Sequence, residues 1–516
     1  MRFSILRSPA TFRAFAIGYP VAIGIALFAV YPLGPTDYWE HLAAISSLAQ
    51  DPLSPGHPYL PTGSPSHLYT PYHLVWALVL RATGLSAPAV GVLAGVVNAA
   101  LFVAALGALD RLLGGGGRDR TLLAAVLLFG WVWPWRHSGV YGVGMLPSSA
   151  LFASAFAQPL AVLVYARLVR SPFGWVSAGL GAVGVAGVFL CHPPTGAFLL
   201  LALGLVGLAW AWRRDVRAVW LGATVGAAAV LAVGWPGFPV VEAVLGAGRF
   251  EARGFGGTPD LWYRMAWVRL APGAVGAGWL IYHLRRGPSP QVRGLALLAA
   301  ASATVYVAGA VLGGGALPGR FAVLLLFSLH LATVLALRHA GSRTMGFAVL
   351  ALALLALPEL GIAARRLGVW QDIQTGTALG THTTRELERE MRALFPHGSR
   401  DDVVFAPIQE AWWLPPLTGV RVTAAWHGDP FTTDYLERWA EVEWFYRVTG
   451  EVEDRRGRLR QRGVHYLLVP RRMLAAVAPV VEGCAAAAAD PTYVVFDLRR
   501  QGCIPGFLTA PAGSRP

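Results

Sequence analysis

Lysine is absent from this 516-residue chain; all 42 of its basic residues are arginine. Charge of either sign is scarce at 14%, against about 25% in an ordinary soluble domain. With 55% hydrophobic residues and a mean hydropathy of +0.51, that scarcity excludes a wholly soluble globular protein. Cysteine is nearly absent too. The three present form no C-x-x-C pair and no zinc spacing, so a zinc ribbon or a dithiol redox motif is excluded. There is no P-loop, no G-x-G-x-x-G fingerprint and no serine nucleophile motif, which removes the usual footholds for nucleotide-driven enzymes and serine hydrolases. No internal repeat is found. Low complexity is confined to the glycines at 114–117 and the alanines at 485–489.

A formal net charge of +14 would suit a nucleic-acid partner. The arginines, however, sit in short loops between apolar runs, the distribution of the positive-inside rule, so no nucleic-acid partner is expected. Those apolar runs recur from residue 14 to about residue 363, and runs approaching 18–20 residues are candidate transmembrane helices. Eleven are read, at about 14–33, 88–109, 121–135, 149–166, 174–191, 195–212, 218–236, 263–283, 294–312, 321–337 and 345–363. The basic start MRFSILRSPATFR precedes the first run, and no small-residue cleavage site follows it. This reads as an uncleaved signal anchor with its N-terminus in the cytoplasm.

Residues 71–83 (PYHLVWALVLRAT) are apolar but too short to span. They read as a helix lying at the interface, with Tyr72, His73 and Trp76 at headgroup level. That choice sets the parity. It places sixteen arginines inside, three of them in the N-terminal segment and the rest in inner loops, and five in outer loops up to residue 320, as positive-inside requires. An odd number of spans ends the membrane part outside.

From about residue 364 charges return and apolar runs shorten. A helix is expected over Thr383–Phe395, with Thr383 and Glu386 as a capping box. Strands are expected over 402–406, 420–424, 464–469 and 493–498, and helices over 433–448 and 471–481. The expected fold is thus an α-helical polytopic membrane protein (1–363) with a long first outer loop (34–87). A soluble extracytoplasmic α/β domain follows over 364–516. Cys484 and Cys503 both fall in that tail, where a disulfide is open to them in an oxidising compartment. Cys191 ends an apolar run and reads as packed.

Chemistry concentrates in the first outer loop. Asp37, Glu40, His41, Asp51, His57, His67 and His73 lie there, with Tyr38, Trp39, Tyr59, Tyr69 and Tyr72 between them. Long loops of this kind are usually functional. Asp37 follows the first span and can serve as a general base, or it can simply cap a helix over residues 38–48. Glu40, three residues on, shares its helix face and is the alternative base. The spacing of His41, His57, His67 and His73 matches no compact metal site. Elsewhere, His192 sits in an outer turn (His-Pro-Pro-Thr-Gly), Arg320 starts a span at the outer side, and Arg264 and Arg269 lie at and inside the eighth span. In the tail, the run Ala425–Pro430 followed by Asp434, Arg438 and Trp444 reads as a strand, a turn and a helix, or as an acceptor contact.

These residues carry a family resemblance. An acid follows the first span (Asp37). The loop ends in P-x-x-L-x-W (Pro71 to Trp76) and then G-L-S (Gly84 to Ser86). A soluble domain follows an odd number of spans. The chain resembles the GT-C membrane glycosyltransferases, the group that includes protein mannosyltransferases and lipid A aminoarabinose transferases. The resemblance implies transfer of a sugar from a polyprenyl-phosphate donor to a lipid, glycan or protein acceptor, at the outer face of a bacterial inner membrane. It implies Asp37 or Glu40 as the catalytic acid or base. Arg320, Arg269 and Arg264 become candidates for the donor phosphate, with His41, His57, Tyr69, His73 and His192 as further substrate contacts. Arg320 otherwise reads as a snorkelling anchor, and Arg269 as the partner of a carboxylate. The chain departs from the family pattern after the third span, where residues 136–146 hold no second acid. With carboxylates this few, no cofactor is expected and a divalent metal site is not favoured. Two alternatives stay open: a transporter or flippase of lipid-linked glycan, and a non-catalytic relative.

Overall fold

The structure is a computed structural model. It describes residues 9–29, 37–131 apart from 116 and 118, 149–170, 174–251, 263–312 and 316–338. It also describes scattered positions between 340 and 357, and 384–503 apart from 426–428, 430, 448–450 and 501–502. The outer turn at 136–146, most of the eleventh expected span and the expected domain boundary near 364 lie outside the described residues.

The chain divides into two compact units. One gathers Met1–Val30, Thr70–Tyr72 and Gly91–Gln371; the other gathers Tyr31–Tyr69, His73–Val90 and Asp372–Pro516.

The first unit is helical. Among the described residues five helices are long and apolar enough to cross a membrane: Pro9–Leu27, Ala87–Leu112, Pro193–Trp212, Pro290–Val311 and Leu317–Arg338. Shorter apolar helices cover Arg120–Phe129, Trp175–Cys191 and Arg217–Val233. Their outward faces leave Trp175, Trp212 and Val311 largely exposed, as lipid-facing side chains are. Small residues let the helices close on one another. A β-carbon on Gly95 would fall 2.1 Å from Leu27 Cδ1, and one on Gly276 would fall 2.0 Å from the Leu329 carbonyl. Asn98, buried, donates to the Tyr72 hydroxyl at 3.0 Å and to the Ala150 carbonyl at 2.8 Å, and Tyr72 donates in turn to the Leu151 carbonyl.

The eighth expected span, 263–283, is interrupted rather than continuous. A short helix Ala266–Leu270 leads into a 3-10 turn at Ala271–Gly273 and then into Ala274–Leu284. Pro272 lies in the turn, and proline can neither donate to the preceding turn nor clear its carbonyl. The glycine loop after Ala87–Leu112 is held by charge. Asp110 accepts from the Gly117 amide at 2.5 Å. Arg338 pairs with Asp119 at 2.7 Å and donates to the Leu113 carbonyl at 2.7 Å.

The second unit contains a five-stranded sheet: β1 (Val403–Phe405), β2 (Arg421–Val422), β3 (Tyr466–Pro470), β4 (Ala486–Ala489) and β5 (Tyr493–Asp497). The order is β2-β1-β3-β5-β4. β2, β1 and β3 run parallel; β3, β5 and β4 pair antiparallel. Val, Leu and Phe on β1, β3 and β5 form the core with Phe445, Tyr446 and Leu459 from the covering helices Tyr435–Arg447 and Val452–Gln461. The alanine run is the exposed edge strand β4, and Cys484, just before it, is joined to Cys503 by a disulfide.

The loop expected at 34–87 belongs to this same unit apart from Thr70–Tyr72. Its two helices, α1 (Tyr38–Gln50) and α2 (Pro71–Thr83), flank an irregular stretch that lies along the free edge of β2. The Val422 amide donates to the Tyr59 carbonyl at 2.8 Å, and the Tyr59 hydroxyl donates to the Trp412 carbonyl at 3.0 Å. The loop thereby covers a sheet edge that would otherwise stand unpaired. α1 is buried on nearly every side, as a helix packed within a domain is.

Candidate functional site

α1 organises the site. Asp37 stands at its N-terminus, half-buried, with a helical backbone and no capping hydrogen bond from its side chain. Of the two readings open to this acid, the capping role is the one the geometry does not use. One turn on, His41 packs flat against His73 of α2, with ring centroids 5.0 Å apart and Nδ1 2.7 Å from Nε2. One ring must therefore donate and the other accept. Burial lowers the pKa of His41 to about 4, against the pull of Asp37, and His73 is pushed well below the ordinary range by burial and by His41. Both rings are neutral near neutrality. They offer a substrate hydrogen bonds rather than positive charge.

Glu40, 9% exposed, lies behind Asp37 on the same helix. Burial and then Glu40 push Tyr435 up to about 12, and burial, Glu40 and Asp37 together raise Tyr59 well above its ordinary value. Both tyrosines therefore stay protonated beside the two carboxylates and remain hydrogen-bond donors.

Asp429, from the run that read as strand and turn, reaches into the loop. Its Oδ2 accepts from Ser66 Oγ at 2.6 Å and from the His67 amide at 3.2 Å, and it stands 2.9 Å from His67 Nδ1. Burial alone would raise its pKa; the charge and hydrogen bond of His67, with His57 and Ser66 adding, outweigh burial and hold it below the ordinary carboxylate value. His57 Nδ1 accepts the Tyr59 and Leu60 amides, both at 3.1 Å, so the proton of the neutral ring is on Nε2, 4.0 Å from Asp429. Tyr69 donates to the Gly56 carbonyl at 2.6 Å and lies 2.9 Å from Ser47 Oγ. His57 and Tyr69 thus brace the loop.

The remaining sequence candidates lie in the helical unit. His192 caps Pro193–Trp212, with Nδ1 2.7 Å from Thr195 Oγ1. Arg320 is half-buried in the first turns of Ala316–Arg338. Arg264 is exposed, whereas Arg269 is 5% exposed beside the break at Pro272. The structure gathers Asp37, Glu40, His41, His57, Tyr69 and His73 into one unit with Ser66, His67 and Asp429. Among the described residues, no three His, Cys, Asp or Glu side chains converge to hold a metal ion.

No protein-family model matches the sequence, and no curated protein matches it. Solved structures do. ArnT from Cupriavidus metallidurans bound to undecaprenyl phosphate superposes with a TM-score of 0.56 at 14% identity, covering 94% of this chain and 98% of that one. Its apo state gives 0.52 at 14% identity, with 95% and 98% covered. The arabinofuranosyltransferase AftD from Mycobacteria gives 0.53 at 16% identity, covering 94% of this chain and 41% of that one. The chain has the GT-C fold. It is a membrane protein, and the ArnT likeness extends over 94–95% of its length. The sequence named His67 and the run that holds Asp429 but did not pair them, and it did not single out Ser66; together they form a loop-to-tail contact. The one signal for them was the density of polar and aromatic residues in Ala425–Pro430.

Proposed function

We propose that this chain is a membrane glycosyltransferase that moves a sugar from a polyprenyl-phosphate donor to an acceptor at the outer face of a bacterial inner membrane. The observation that carries the reading is Asp37: an acid at the head of a buried helix, not spent on capping, flanked by neutral histidines, in a chain with the GT-C fold. In the proposed reaction the acceptor oxygen attacks the anomeric carbon of the donor sugar. The bond from that carbon to the phosphate oxygen breaks, and the electron pair leaves on the polyprenyl phosphate. Asp37 takes the acceptor proton, and Glu40 stands behind it as the alternative base. His41 and His73 orient the acceptor as neutral groups. Arg320, with Arg269 and Arg264 as further candidates, would hold the phosphate by charge-assisted hydrogen bonds. Undecaprenyl phosphate in ArnT supports the donor class.

The sixteen arginines placed inside support a cytoplasmic N-terminus. The Cys484–Cys503 disulfide supports an extracytoplasmic tail.

Asp37→Asn is expected to reduce transfer at least a hundredfold, with donor retention and thermal stability unchanged. Full activity in that variant, with loss in Glu40→Gln, would move the base to Glu40. The broken segment around Pro272 favours a second reading, a carrier of lipid-linked glycan, because transporters use discontinuous helices at their sites. A carrier would move its cargo across proteoliposomes without consuming it; a transferase would release free polyprenyl phosphate.

A further inference from the structure

Many arginines of the tail domain pair with an acid. Arg438 pairs with Asp434 at 2.7 Å, Arg462 with Glu441 at 2.7 Å, and Arg499 with Asp402 at 3.0 Å. Arg400, just before β1, and Arg421, the first residue of β2, have no such acid, a lack they share with Arg455 and Arg471, whose side chains donate to the Ala476 and Asp490 carbonyls instead. Neither Arg400 nor Arg421 forms an ion pair among the described residues. Both reach the same point of the outer loop: a β-carbon on Gly56 would stand 3.1 Å from Arg421 Nη2 and 3.6 Å from Arg400 Nη2. Two like charges therefore face one another across a glycine.

Their donors are under-used. Arg400 Nη1 reaches the Ser47 carbonyl at a long 3.5 Å, while Arg400 Nη2 and Arg421 Nε are buried without a hydrogen-bond partner. Tyr69, Asp51 and Asp401 also act on Arg400, and burial together with Arg421 still holds its pKa below the ordinary value. Asp51 is occupied, its Oδ1 accepting the Leu53 and Ser54 amides. A pair of half-buried guanidiniums with open donors is costly unless an anion joins it, and the planar fork of arginine fits phosphate and carboxylate two bonds at a time. Gly56, at φ +61° and without a side chain, lets the loop backbone pass close to both; a β-carbon there would also stand 3.3 Å from the Thr62 carbonyl.

We propose that Arg400 and Arg421, converging beside Gly56, form an anion subsite for a phosphate or carboxylate group carried by the acceptor. The acceptor assignment rests on the transferase reading. Ser47, against Arg400, is ten residues along α1 from Asp37, roughly 15 Å at 1.5 Å per residue. The anion is therefore on a part of the acceptor remote from the reacting hydroxyl, and the pair selects acidic acceptors.

The test uses the full-length protein in detergent, titrated separately with inorganic phosphate and with D-glucuronate and followed by tryptophan fluorescence. Retention of undecaprenyl phosphate is measured on the same preparations. The expected result is saturable binding of one anion, weakening with added salt. It is reduced tenfold or more in Arg421→Gln and in Arg400→Gln/Arg421→Gln, and less in Arg421→Lys, which keeps the charge but loses the fork. Undecaprenyl phosphate retention is unchanged in all three variants, which separates this subsite from the donor phosphate site. Which probe binds tells phosphate from carboxylate. Failure of the wild type to bind either anion, or wild-type affinity in Arg421→Gln, overturns the subsite even where the polyprenyl lipid is retained. An anion bound in a protein that retains no polyprenyl phosphate keeps the subsite and removes the donor reading instead. If the double variant does not fold, the Arg421→Gln and Arg421→Lys pair decides.

Discussion

Buried histidines set the pH behaviour of the loop. His41 and His57 both titrate near 4 in the folded chain, lowered chiefly by burial, against about 6.5 when unfolded. Between those values the unfolded state binds more protons, so stability rises with pH across that window. It is complete above about 6.5 and is lost as pH falls toward 4. The thermal midpoint of the loop-and-tail unit is expected to drop over that interval, and His57→Gln is expected to flatten part of the drop. A midpoint level from pH 7 to 4 would show that these rings are not buried neutral. Asp429→Asn leaves the Ser66 and His67 donors facing a weaker, uncharged acceptor. It is expected to cost about 1–3 kcal/mol, read as a lower midpoint at pH 7. At this scale the sequence was informative about residue types and silent about partners. Asp37, Glu40 and the histidines declared themselves by their density in one loop. Asp429, more than 350 residues from Ser66, did not, because nothing in local spacing records a contact of that range.

Elements were legible where composition was uniform. The segment at 71–83 has the helix bounds its flanking Pro71 and Gly84 imply. The strands at 403–405 and 493–497 fall inside the apolar runs that announced them, and the strand at 466–470 starts inside 464–469 and runs one residue past it. Two features went beyond the sequence for local reasons. The alanine run at 485–489 gave no secondary-structure signal, and pairing with β5 makes most of it strand. The segment 263–283 read as one span because its apolar content is continuous, and Pro272 breaks it. Close helix approach gives a test at this level. Gly95→Leu would drive a side chain into Leu27, where even a β-carbon falls at 2.1 Å. The variant is expected to express poorly and to lose several degrees of thermal stability, whereas Gly187→Leu, with nothing within 4 Å, is expected to behave as wild type. Equal stability of the two variants would contradict the packing described for the first helix.

For the whole molecule, composition gave the class directly: low charge and recurrent apolar runs mean membrane, and returning charge means a soluble tail. What composition could not give was the membership of the first outer loop. It belongs with the tail through the Tyr59, His57 and Ser66–Asp429 contacts, so the candidate base and the tail sheet form one unit. The reaction as written uses carboxylate and arginine chemistry, so transfer is expected to survive dialysis against EDTA; loss of activity restored by a divalent cation would add a metal to the site. The most direct measurement is native mass spectrometry of the protein purified from its own membranes. The account predicts a bound polyprenyl phosphate or its sugar adduct, with the adduct converted to the phosphate when acceptor is supplied. A complete lipid-linked glycan that stays bound and is never consumed would contradict it and make the protein a carrier.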